Sequence, residues 1–208
     1  MTGNLAAPRA RRYRGVDDEE RRAERRRRLV EAACEVFGGE GYQAATVRGI
    51  CAAAGLTERY FYESFAGREE LLAAVYDWIV GGLREELAAA IAAAPAGDRG
   101  RAALEAYFAR IEARPALGRV LLLEILGISP AIDRLYQGAL DELARVLASA
   151  AAGRAGPDPA PAGLGALGMA GAVVTIAVHW IMTGYRLPRA EIVAHCADLL
   201  AAFPRAAS

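Results

Sequence analysis

Between Cys51 and Phe61 the sequence reads CAAAGLTERYF, and the three residues Gly55, Leu56 and Thr57 set the terms for everything around them. Upstream, Val47, Ile50, Cys51 and Ala54 recur on one face of a helix that Thr46 can cap and Gly55 can stop. Downstream, Thr57 stands as an N-cap for a helix from Glu58 to Glu63. Gly55 permits a left-handed turn, and Leu56 is placed to plug the space between the two helices. A third pattern precedes them: Leu29, Ala32, Ala33, Val36 and Phe37 repeat at the helical period until Gly38, Gly39 and Gly41, which are expected to end it. Three short helices with a tight turn between the last two predict a helix-turn-helix unit.

The last helix of that unit is polar and aromatic on the face away from Leu56 and Phe61. It offers Thr57, Glu58, Arg59, Tyr60 and Tyr62 outward. A helix of this kind can lie in a DNA major groove with its N-terminal residues at base edges. A small three-helix core with a merely solvated face satisfies the same spacing.

The segment from Arg25 to Leu72, about a quarter of the chain, resembles the DNA-binding domain of the TetR family of bacterial transcriptional regulators. The resemblance rests on Leu29, Ala32, Ala33, Phe37, Gly41, Tyr42, Thr46, Val47, Ile50, Ala54, Gly55, Thr57, Tyr62, Phe65, Arg68 and Glu69, without a gap. It implies that Thr46, Tyr62 and Arg68 touch phosphates. A capped helix N-terminus beside a hydroxyl or guanidinium suits an anion, and Arg48 is a further candidate. Thr57, Glu58, Arg59 and Tyr60 would face base edges. The chain departs from the family pattern in having Arg59 and Tyr60 where small residues are usual, and Arg68 in place of a Lys. Arg59 could hold a guanine in a bidentate contact worth ~1–3 kcal/mol of discrimination, which makes it the expected sequence reader.

At 208 residues with a net charge of zero, the chain as a whole carries no electrostatic footprint for nucleic acid. The distribution is uneven: Arg9, Arg11, Arg12, Arg14, Arg21, Arg22 and Arg25 to Arg28 crowd the beginning, where they can neutralise phosphates. The expected organisation is a basic, disordered arm over 1–22, the DNA-binding domain over 23–83, and a helical ligand-binding and dimerisation domain over 84–208. Cys34, Cys51 and Cys196 are far apart, which argues for buried thiols and against a metal site. An apolar leader is absent from the first residues, so a cytoplasmic protein is expected.

Beyond the head, the periodicity predicts a long helix from Arg68 to about Ala94, roughly 40 Å at 1.5 Å per residue. Gly81 and Gly82 mark a bend or a close helix contact in its middle. Helices capped by Asp98, opened by Pro115 and opened by Ser129 and Pro130 come next. A Gly/Pro-rich linker runs from Gly153 to Pro161, and two more helices lie at about 162–183 and 188–203. With period-2 alternation absent, the fold is all-α.

The resemblance implies a small-molecule pocket in this body. Its candidate residues are Trp78, Tyr107, Phe108, Glu124, Tyr136, His179 and Trp180, with Glu124 the most suggestive because it interrupts the apolar run LLLEILG. Gly168, Gly171 and Ala172 would let another helix approach closely. The resemblance assigns the last two helices to a dimer contact, adding Ile192, Cys196 and Leu199. The expected partners are a palindromic double-stranded operator, a second copy of the chain and a small-molecule effector, with repression the family's usual mode. No cofactor and no enzymatic constellation are expected: His179 and His195 lack a nucleophile or metal-ligand partner at useful spacing. The run Gly163 to Gly168 matches G-x-G-x-x-G but follows a Pro-rich loop instead of a strand. The competing class is a membrane-associated helical protein, since residues 162–185 carry no formal charge. The small residues, Thr175 and His179 count against it.

Overall fold

The computed structural model describes residues 9–157 and 160–202, with side chains from residue 18 onward. Helices α1 (Arg9–Glu40), α2 (Val47–Ala54) and α3 (Glu58–Tyr62) form the head. The long α4 (Arg68–Ala93) leads into the body, made of α5 (Arg99–Ala113), α6 (Pro115–Arg119), α7 (Pro130–Ala151), α8 (Leu164–Met182) and α9 (Arg189–Ala202). Among the described residues there is no strand, so the all-α expectation holds.

The first helix departs from the sequence reading at both ends. An arm separate from the first helix was expected up to residue 22, yet α1 is continuous from Arg9. Pairs at helical spacing bind it together: Arg21 to Asp18 at 2.7 Å, and Arg27 to Glu24 at 2.8 Å and Glu31 at 2.6 Å. Residues 1–8 lie outside the described residues. At the other end Gly38 and Gly39 stay helical, and the chain turns only at Gly41, with φ 89°. Packing explains Gly38: a Cβ there would overlap the backbone of Ala116 in α6. The missing side chain serves close approach instead of ending the helix.

The turn between α2 and α3 is as the sequence predicts. Gly55 is left-handed (φ 62°), and Leu56 N–H donates to the Cys51 carbonyl at 2.9 Å, closing α2. Thr46 accepts from Gly49 N–H at 3.0 Å. Thr57 holds the N-cap position of α3, but its hydroxyl makes no capping bond; Asp98 likewise precedes α5 without one. Leu29, Ala33, Phe37, Ile50, Phe61, Leu71 and Leu72 close the core of the head.

In the body, α6 runs directly into a π-helical turn, Val120–Glu124. Ser129 caps α7 by accepting from Ile132 N–H at 3.3 Å. Trp180 anchors the end of α8, donating from Nε1 to the Leu187 carbonyl at 2.8 Å and packing edge-on against Phe108 and Tyr185. Of the glycine pair in α4, Gly82 is the contact: the Arg110 guanidinium lies 2.7 Å from where its Cβ would be. One described helix, Leu164–Met182, is long and apolar enough to cross a membrane, with mean hydropathy 1.8. Met169, Val173, Ala177, Trp180 and Ile181 on that helix are buried in the bundle core, which accounts for one side of it without a lipid phase.

Candidate nucleic-acid interface

Helix α3 is held from behind by Phe61, fully buried and 5.9 Å from the Phe65 ring. That anchor turns Thr57, Glu58, Arg59 and Tyr62 to the outside, with Tyr62 61% exposed. Tyr60 is half-buried, because the Arg25 guanidinium of α1 sits 4.5 Å from its ring centroid. Arg59 pairs with Glu63 one turn along (3.0 Å) while its side chain stays 84% exposed, so the guanidinium is displayed yet loosely tethered. At the start of α2, Thr46 and Arg48 are both exposed. Of the eight expected contacts, five lie on α2 and α3, Thr46 and Thr57 stand at their N-caps, and only Arg68 is elsewhere; Tyr60 is the least available of the first seven.

Arg68 is placed differently from a free phosphate ligand. Its guanidinium donates to the Tyr42 carbonyl at 3.0 Å and to the Ala45 carbonyl, and lies 5.1 Å from the Tyr42 ring. It ties the start of α4 to the loop that enters α2. The neighbouring arginines of α1 also have structural partners: Arg26 covers the Phe65 ring at 4.2 Å, and Arg28 donates to the Ala54 carbonyl at 2.6 Å. Arg27 is held in its ion pairs with Glu24 and Glu31. The arginine crowd that reads as a phosphate arm in sequence thus serves, in part, to brace α2 and α3.

The body contains a cavity of about 60 Å³ between α4, α5, α7 and the π-helical turn, touched by Val174 of α8. Of the seven expected pocket residues it includes Tyr107 and Tyr136. The others have different positions. Trp78 lies under the Arg114 guanidinium at 5.0 Å, beside α1. Phe108 and Trp180 pack on each other in the core, and His179 is exposed on α8. Glu124 faces the head: it accepts from the Tyr42 backbone N–H at 2.9 Å and pairs with Arg119 at 3.3 Å. A carboxylate in an apolar run was read as facing a ligand; the turn of π-helix aims it at the loop after α1 instead. Sequence reading missed Tyr76, Arg84 and Glu142 at the cavity. Tyr76 was hidden beside Val75, whose own place in the apolar stripe of α4 drew the eye.

The expected dimer residues divide. Gly168 is exposed, Gly171 and Ala172 are half-buried, and Leu199 is 40% exposed. Ile192 and Cys196 are buried within the chain's own bundle, so they do not form an outer face. Helix α9 carries apolar residues on more than one side, and the inner set was mistaken for the outer. All three cysteines are free and buried; burial pushes the thiols of Cys34 and Cys196 up to about 11.

Residues 29–75 match the model of the family described as bacterial regulatory proteins, tetR family. Over 95 residues, 44% of this chain, the sequence is 39% identical to the HTH-type transcriptional activator FasR of Mycolicibacterium smegmatis, and the chain spans 42% of that relative's length. Two solved structures share the fold across most of both chains. The fatty acid degradation regulator FadR from Bacillus halodurans has a TM-score of 0.72 at 18% identity, over 86% of this chain and 95% of that one. FadR from Bacillus subtilis, in complex with stearoyl-CoA, has 0.71 at 17% identity, over 84% and 97%.

Proposed function

We propose, from the match of residues 29–75 to the tetR family model, that the chain is a TetR-type regulator: a dimeric, sequence-specific DNA-binding protein governed by an apolar small molecule. The observation that carries this is the display of Thr57, Glu58, Arg59 and Tyr62 on a short helix whose inner residue, Phe61, is locked into the head. Thr46 and Arg48 on the adjacent helix supply phosphate contacts that set register, and Arg59 supplies base discrimination. Arg68 acts here as a brace for the loop before α2.

A second copy of the chain covers the outer face of α8. Leu164 (89% exposed), Gly168, Thr175, His179 and Met182 (66% exposed) recur at helical spacing on that face. The Thr175 and Thr183 hydroxyls donate to carbonyls of their own helix at 2.9 and 2.8 Å, so covering them strands no donor. Gly168 and Gly171 leave open space where a side chain would stand, which allows a short interaxial distance. This face is the part of the uncharged segment that the bundle core does not explain, and a dimer accounts for it.

The effector occupies the cavity among α4, α5 and α7. The Bacillus subtilis neighbour holds stearoyl-CoA, and an apolar effector is also what this lining supports. An effector releases DNA to the extent that it prefers the conformation that fits DNA poorly. The sign of regulation follows from where the operator lies: overlap with the polymerase site represses, and upstream placement activates. Repression is the mode proposed here.

The test is selection of duplexes from a random pool by the purified chain, with sedimentation of the complex. The expected result is a palindrome whose half-sites are ~34–36 Å apart or a multiple of that, bound by two copies. A monomer with no preferred sequence overturns the reading.

A further inference from the structure

Tyr107 presents a hydroxyl with no hydrogen-bond partner among the described residues, on a side chain only 1% exposed. A buried hydroxyl left in that condition is costly, and such groups in native structures ask for an explanation. Tyr107 lines the cavity, together with Tyr76 of α4 and Tyr136 of α7. Burial first, then the neighbouring phenols of Tyr76 and Tyr136, push its ionisation above the ordinary tyrosine range. It is therefore a neutral O–H donor at any physiological pH.

The charged residues on the cavity wall are Arg84 and Glu142, and they neutralise each other. Arg84 donates from both Nε and an Nη to the two carboxylate oxygens, the second at 2.7 Å. An anionic ligand would have to take Arg84 from Glu142. A cationic one would find three phenols and aliphatic side chains. The remaining wall is Val80, Leu83, Leu87, Leu121, Leu122 and their neighbours.

Resting on the effector reading above, we propose that the ligand is a neutral, largely apolar molecule carrying an oxygen acceptor, which takes the Tyr107 hydroxyl proton as its hydrogen bond. At about 60 Å³ the cavity is far below the roughly 300–1,000 Å³ of a site for a drug-sized ligand. It admits a compact group, and a larger molecule enters only by spreading α4 from α7.

The experiment uses three compact probes on the full chain: acetophenone (neutral, with a carbonyl), isopropylbenzene (similar shape, no oxygen) and benzoate (anionic). Affinities are measured by calorimetry on the wild type, Tyr107→Phe and Tyr185→Phe. Tyr185 is the control, since its hydroxyl is also buried and unpartnered among the described residues but does not line the cavity. In Tyr107→Phe the preference for acetophenone over isopropylbenzene should fall roughly 3- to 10-fold, the worth of one neutral hydrogen bond. Tyr185→Phe should leave that preference unchanged. The melting temperature of Tyr107→Phe should stay level or rise, because an unsatisfied hydroxyl has been removed. A lowered melting temperature would show that the hydroxyl serves the fold and would overturn the proposal. So would an unchanged preference in Tyr107→Phe, or benzoate binding the wild type more tightly than acetophenone. Those outcomes leave the cavity standing as an effector site. Failure of all three probes to bind overturns the cavity reading as well.

Discussion

The carboxylate of Glu124, at the end of the π-helical turn, accepts the backbone N–H of Tyr42 across 2.9 Å, joining the body to the loop that leads into α2. Arg119 completes the link, donating to Glu124 at 3.3 Å and to the Gly38 carbonyl at 2.9 Å. The same turn contributes Leu121 and Leu122 to the cavity wall. One short segment thus borders the cavity on one side and meets the head on the other.

Glu124→Ala should cost about 1.5–3 kcal/mol of stability, the range for a hydrogen bond with a charged partner. Because Glu124 lies outside the cavity, probe affinity should change little while the coupling between probe and operator weakens. Chemical denaturation measures the first effect. Operator affinity with and without probe measures the second, and a lost probe affinity would return Glu124 to the pocket.

Gly38 and Gly39 make an adjacent pair with opposite expectations. Gly38→Ala drives a methyl group into the Ala116 backbone and should destabilise by about 1–3 kcal/mol, parting α1 from α6. Gly39→Ala meets nothing within 4 Å and should stabilise by ~0.5–1 kcal/mol, as alanine does in a helix. Paired urea melts decide the matter; equal effects would refute the packing role given to Gly38.

Arg59→Ala should relax base preference at one position of each half-site, at ~1–3 kcal/mol. Arg48→Ala should weaken all sequences alike and flatten the salt dependence by about one unit of slope. Binding to an operator library at several salt concentrations separates the two. An unaltered ranking of operators in Arg59→Ala would remove it as reader.

Gly168→Arg places a long cation on the exposed face of α8, where the described chain offers open space. The monomer should fold normally, since that position touches none of its own core. Sedimentation should show lost dimerisation, and operator binding should drop with it. A dimer that survives this change would move the interface elsewhere.

The thiols of Cys34 and Cys196 are held protonated by burial, with ionisation raised from an ordinary 9.0 to about 11. The folded state favours the neutral form, so this contribution to stability is whole below pH 9 and is lost as pH rises through about 11. Alkaline denaturation should begin in that window, and a soluble thiol reagent at neutral pH should react at the rate of unfolding. Rapid labelling of the native chain would contradict the burial.

The head was legible in the sequence because its constraints are local: a cap at Thr46, a left-handed glycine at 55 and an apolar residue at 61 each depend on near neighbours. What escaped depends on distant ones. Gly38 reads as a helix stop until Ala116 is seen against it, and Glu124 reads as a ligand contact until Tyr42 is seen beneath it. Helix α9 shows the third kind of miss: with alanine and leucine on several faces, its pattern does not say which side is inward, and Ile192 and Cys196 went to the wrong one.

Helix α4 is unbroken from Arg68, which grips the loop before α2, through Tyr76 to Leu87 along the cavity. About 12 Å of rod, some two turns, separates the grip from the first phenol. On the proposed reading, a molecule that wedges against Tyr76 has its hand on a crowbar whose far tip grips the loop before α2. The shared backbone gives the cavity a second tie to the head, running beside the one through Glu124.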